Sequence, residues 1–182
     1  MHDILTEAKG EILLPAEKIA ARVRELAAEI SRDYRGQHPH LIGILKGAWV
    51  FMADLIRQLE LEATVDFLGI ASYGAATTSS GEVKITKDLD TSIEGRHVLV
   101  VEDILDTGRT FHYLQEVLLA RRPLSLKLVT LLDKPSRRVV PVAADYVGFT
   151  IPNVFVVGYG LDYGQQCRWL PDVWAIHPKA SP

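Results

Sequence analysis

His97-Val98-Leu99-Val100-Val101-Glu102-Asp103-Ile104-Leu105-Asp106-Thr107-Gly108-Arg109-Thr110 runs from an unbroken apolar stretch into two adjacent carboxylates, then a third, then a Thr-Gly-X-Thr turn. Phe111, Leu114, Val117 and Leu118 follow at helical spacing, so the segment reads as buried strand, tight turn and helix. A short continuous apolar strand belongs in a parallel sheet covered on both faces, and ligands of open α/β sheets bind beyond its carboxyl end. The N–H groups at the start of the helix, its dipole, and the hydroxyls of Thr107 and Thr110 suit an anion. Gly108 lets the backbone close around a phosphate with no Cβ in the way. Glu102 and Asp103 are costly to bury unpaired; as acceptor-only groups they suit a sugar diol or a divalent cation. Taken singly, the same residues also read as a helix cap at Asp106 or Thr107 and as solvated loop acids at Glu102 and Asp103. The competing phosphate templates G-x-x-x-x-G-K-S/T and G-x-G-x-x-G are absent.

Outward from this stretch the pattern repeats. Pro15 suits a first helical position, Ile19, Val23, Leu26, Ala27 and Ile30 then share one face, and Gly36 is a stop. Leu41 to Leu45 is an apolar strand, Ala48 to Leu59 a helix, and Ala63 to Ala71, Val98 to Val101 and Leu126 to Leu132 are strands. The helix Thr110 to Arg121 separates the last two. This is the order of βαβ units in an α/β fold with a mostly parallel sheet. Ser72 to Gly81, small and polar between two strand patterns, reads either as a hairpin or as a functional loop.

A chain of 182 residues can bury one sizeable core, and 48% hydrophobic with 24% charged residues is ordinary for a globular protein. The net charge of −3 offers no general attraction to nucleic acid or an anionic membrane, so phosphate binding must be local. A single cysteine, Cys167, fits a reducing compartment and a small buried residue. The acidic start has no secretory pattern and no apolar run reaches a membrane span, so a cytoplasmic location is expected. The six histidines show no metal-ligand spacing.

Val100 to Thr110 resembles the 5-phosphoribosyl-1-pyrophosphate signature of the type I phosphoribosyltransferases. Leu45-Lys46-Gly47-Ala48, Ser72-Tyr73-Gly74, Leu132-Asp133-Lys134, and Phe155 to Tyr163 with Arg168 beyond are similar to the hypoxanthine-guanine branch. The likeness runs in order from Leu41 to Pro171. It implies one phosphoribosyltransferase domain over residues 1–182, with about five central strands flanked by helices and a small extra lobe from the chain ends. The implied activity is purine salvage. A 5-phosphoribosyl group passes from 5-phosphoribosyl-1-pyrophosphate to N9 of hypoxanthine or guanine, giving IMP or GMP and pyrophosphate, with Mg2+ on the leaving group.

The resemblance also implies roles for residues. Asp106 corresponds to a general base toward purine N7, and Asp106, Thr107, Gly108, Arg109 and Thr110 to the phosphate loop, with Glu102 and Asp103 by the ribose hydroxyls. Lys46, Gly47 and Arg168 correspond to pyrophosphate contacts, with a non-proline cis peptide before Lys46, and Ser72-Tyr73 to a lid. Lys134 corresponds to the donor to purine O6, Phe155 to the stacking ring, and Val156 and Asp162 to backbone contacts at the edge that carries guanine's amine. Glu102, Asp103 and Asp162 correspond to the metal-binding acids. Relatives form dimers and tetramers, so a homo-oligomer is implied. Alone, Phe155 also reads as a core aromatic, Lys134 as a solvated loop lysine and Lys46-Gly47 as an ordinary turn. Cys167, where relatives carry an aromatic, and the tryptophan-rich Trp169 to Trp174 depart from the pattern and leave preference among hypoxanthine, guanine and xanthine open. A regulator that senses the sugar pyrophosphate and binds nucleic acid would need a basic face, and the one compact basic group is Lys134 to Arg138.

Overall fold

A computed structural model describes residues 10–72 and 83–177. In chain order the elements are β1 (Glu11–Leu14), α1 (Ala16–Asp33), β2 (His40–Leu45), α2 (Trp49–Ile56), β3 (Thr64–Ser72), β4 (Val83–Lys87) and β5 (His97–Leu105). These are followed by α3 (Arg109–Leu119), β6 (Ser125–Asp133), a 3-10 turn (Pro135–Arg137), β7 (Tyr146–Thr150), β8 (Phe155–Val157) and β9 (Val173–Ile176).

The main sheet has the order β4-β3-β2-β5-β6-β7. Its neighbours from β3 to β7 pair in parallel, and β4 joins β3 antiparallel at the edge. Five strands therefore run in parallel as expected, and the sheet has six in all. Strand alternation divides the core. Leu41, Leu99, Val101, Val129 and Leu131 pack toward α1 and α2. Ile42, Ile44, Val98, Val100 and Leu128 pack with Phe111, Leu114 and Leu118 of α3. Both faces are covered, which is why the central strands read as solid apolar runs.

The chain ends supply the extra lobe, an antiparallel sheet in the order β1-β9-β8. Pro15 is the residue before α1 rather than its first residue, with extended backbone. It carries no capping side chain, and the N–H of Ala16 instead donates to Asp172 Oδ1 at 2.8 Å, tying the helix to the lobe. α2 ends at Ile56, three residues short of the expected Leu59, which is reached by 3-10-type turns from Leu55 and Ile56. β5 continues past Val101 to Leu105, so Glu102 and Asp103 are strand residues and not loop acids; Glu102 lies opposite Thr130 of β6. No helix among the described residues is long and apolar enough to cross a membrane.

Candidate active site

The turn after β5 is built around Gly108, whose φ of +83° lies in the left-handed region. An added Cβ there would also meet Arg138 Cδ and Val140 Cγ2 at 3.0 Å each. Gly108 is the residue before α3, and no side chain caps that helix. Thr107 Oγ1 reaches only the Arg109 N–H, at 3.4 Å. The cap reading is therefore not realised, and the first turn of α3 keeps donors for an anion. Asp106 has a different partner, since its Oδ1 accepts from Arg137 Nε at 3.2 Å. Arg138 braces the turn from behind. Its Nη1 donates to the carbonyls of Leu105 at 3.0 Å and Asp106 at 2.6 Å, and its Nη2 pairs with Asp133. Nothing in the spacing of the sequence marks Arg138 as a support, because its partners come from two other elements.

Glu102 and Asp103 are consecutive in β5 and so point to opposite faces. Glu102 is buried on the α3 face, and its Oε2 has no hydrogen-bond partner among the described residues. Burial holds its carboxyl well above the usual range, and the charge of Asp103 adds to this. Burial also pushes Asp103 up to about 6, against the Ile104 N–H on its Oδ1 at 3.0 Å and the nearby Arg168, and with the help of Asp162. Among the described residues, no three His, Cys, Asp or Glu side chains converge to hold a metal. Strand alternation places Glu102 on the opposite face of β5 from Asp103. Asp103 and Asp162 do share a cavity, and two hard oxygen donors beside space for a ligand suit a Mg2+ held partly by phosphate.

That cavity, of about 310 Å³, gathers side chains from four parts of the chain. Asp103 and Asp106 come from β5 and its turn, Lys46 and Gly47 from the β2–α2 turn, Lys134 from the end of β6, and Phe155, Val156, Asp162 and Arg168 from β8 and the loop beyond. Glu102 and Thr107 to Thr110 do not line it, although the turn continues directly from Asp106. Ser72 ends β3, and Tyr73 lies outside the described residues.

Tight contacts hold the parts together. The Leu45–Lys46 peptide is cis. A Cβ on Gly47 would stand 1.6 Å from Asp103 Oδ2, and one on Gly160 would stand 2.1 Å from the Gly47 carbonyl oxygen. Arg168 Nη1 donates to the Gly160 carbonyl at 2.7 Å, and its Nη2 lies 2.6 Å from Asp162 Oδ1. Lys134 is buried, not a solvated loop residue; its Nζ donates to the Val154 carbonyl at 2.6 Å. Burial pushes its ammonium down, opposed by the charge of Asp106. Phe155 is 44% exposed on the cavity wall and not a core ring, and Tyr163 meets it edge-on with centroids 5.7 Å apart. Cys167 is buried with Val157, Leu170 and Ile176. Trp169 lines a second, more apolar cavity of about 470 Å³ that shares Arg168.

The phosphoribosyl transferase domain family matches residues 9–164. Over 177 residues the chain is 51% identical to the hypoxanthine-guanine phosphoribosyltransferase of Bacillus subtilis, covering 97% of this chain and 96% of that protein. The chain belongs to the type I phosphoribosyltransferases, in their hypoxanthine-guanine branch. A Staphylococcus aureus hypoxanthine phosphoribosyltransferase crystal structure superposes with a TM-score of 0.89 at 44% identity, covering 98% of each chain. The bifunctional protein TilS/HprT of Listeria monocytogenes serotype 4b is 49% identical over 169 residues, 93% of this chain, and this chain spans 26% of its length.

Proposed function

We propose that this protein transfers the 5-phosphoribosyl group of 5-phosphoribosyl-1-pyrophosphate to N9 of hypoxanthine or guanine, releasing IMP or GMP and pyrophosphate. The observation that carries the reading is the single cavity in which a buried lysine and an exposed phenylalanine share walls with Lys46, Arg168 and Asp106. Glycosyl transfer of this kind develops positive charge at ribose C1 and negative charge on the departing pyrophosphate. Lys46 and Arg168 supply cationic donors for the second.

Glu102, with an unpartnered buried oxygen, and Asp103 are suited to accept from the ribose hydroxyls. The open first turn of α3 suits the 5-phosphate. Asp106 is the candidate to take the proton from purine N7 as N9 bonds to C1. Lys134 can only donate, so it donates to O6 of a 6-oxopurine and disfavours adenine, whose amino group is itself a donor and offers the buried ammonium no acceptor at that position. Phe155 stacks on the base, steadied by Tyr163. Mg2+, held by Asp103 and Asp162 with substrate oxygens, would neutralise the pyrophosphate. A cytoplasmic homodimer or homotetramer goes with this reading of the family.

Pyrophosphate release should be followed with hypoxanthine, guanine, xanthine and adenine offered separately, with and without magnesium. Turnover with hypoxanthine or guanine and none with adenine is expected. Binding of the sugar pyrophosphate without turnover of any base would overturn the assignment and favour a regulatory role.

A further inference from the structure

Gln165 has no part in the chemistry above, yet its side chain touches both cations assigned to pyrophosphate. It stands in the loop between Asp162 and Arg168 with a φ of +70°, a conformation uncommon for a residue with a Cβ, and its N–H donates to Asp162 Oδ2 at 2.8 Å. Its side-chain oxygen accepts from Lys46 Nζ at 3.2 Å and from Arg168 Nη2 at 3.4 Å. Both partners are donors only, so the atom between them must be the amide oxygen and not the nitrogen. For Lys46 this is the one side-chain hydrogen bond among the described residues. Among the described residues, this bond is the side-chain contact that links the flexible lysine of the β2–α2 turn to the loop of Arg168, more than a hundred residues away.

We propose that Gln165 is a positioning residue of the pyrophosphate subsite: its amide oxygen joins Lys46 to Arg168 and gives way to the phosphate oxygens of the entering anion. This rests on the reading of Lys46 and Arg168 given above. The choice of an amide matters. A neutral acceptor links Lys46 to Arg168, which is already paired with Asp162, without adding a second negative charge, and a phosphate oxygen, carrying charge, outcompetes it for both donors. A carboxylate in the same place would form ion pairs that the anion must break.

The test uses the full chain with Gln165→Glu and Gln165→Met. Calorimetric titration with pyrophosphate in the presence of magnesium is combined with separate KM values for sugar pyrophosphate and base. Gln165→Glu, of the same shape, should weaken pyrophosphate binding by about tenfold at low salt, with the gap narrowing as ionic strength rises. Gln165→Met, which loses the bridge without adding charge, should weaken it by about threefold with the salt dependence of the wild type. The KM for the base should not move in either variant. Wild-type pyrophosphate affinity in both variants, or losses shared equally by the base, would overturn the proposal while sparing the roles of Lys46 and Arg168. Failure of the wild-type protein to bind pyrophosphate would overturn both.

Discussion

Gly47→Ala isolates the contact on which the cavity depends. The new Cβ would stand 1.6 Å from Asp103 Oδ2 and 2.4 Å from its Cγ. The Gly47 backbone is itself closely packed, its carbonyl oxygen 2.1 Å from where a Cβ on Gly160 would stand. The Asp103 carboxylate must therefore move by about 2 Å to reach ordinary contact, giving up its bond from the Ile104 N–H. Misplacement of a reacting group by about 1 Å already costs on the order of a hundredfold in rate. We expect kcat/KM for the sugar pyrophosphate to fall at least that far. The clash is with the end of a side chain, not with backbone, so the thermal midpoint should stay close to that of the wild type. Initial rates of pyrophosphate release together with a melting curve read both quantities. A variant with wild-type kcat/KM would show that Asp103 is not held in a working position by this contact, and the geometric reasoning would fail.

Asp106→Asn should retain binding of the sugar pyrophosphate and lower turnover by about a hundredfold or more, measured as kcat against the dissociation constant; unchanged turnover removes the base assignment. Lys134→Gln should let adenine be used, because an amide can accept as well as donate, and unaltered base preference in competition assays would refute the O6 contact. His40 tests the opposite end of the sheet. It is buried at the start of β2, its Nδ1 is 2.7 Å from Thr64 Oγ1, and its Nε2 has no partner among the described residues. Burial holds the imidazole below 6.5, helped by Arg96 and opposed by Asp66. The unfolded chain then binds the proton first, so this group's stabilising contribution is complete above 6.5 and is lost as pH falls from there toward the depressed folded value. His40→Asn should flatten the fall in melting temperature on that acid side, and an unchanged slope would show that His40 does not carry it.

The elements that sequence determined are those where local pattern and burial agree. The five positions on one face of α1, the solid apolar strands, and the carboxylates leading to the Thr-Gly turn are all local facts, and each appears where its periodicity puts it. Edge strand β4 has no definite signature in the sequence, because a strand at the sheet edge beside a small polar segment carries little apolar signal. β5 also runs further than its apolar pattern, to Leu105. Acidic residues look like a loop in isolation, but pairing with β6 carries the strand past them.

For the candidate site, sequence alone proposes side chains and leaves their states open. Lys134 could be solvated or buried, Phe155 core or exposed, and Glu102 and Asp103 loop acids or pocket groups, since composition does not state what covers a residue. Tertiary structure decided these because burial and charge proximity are sums over segments distant in the chain. Asp103 meets Gly47 and lies close to Arg168, Asp106 meets Arg137, and Gln165 meets Lys46. No spacing rule along one strand or helix can report a contact made by the folding of a sheet and a lobe against each other.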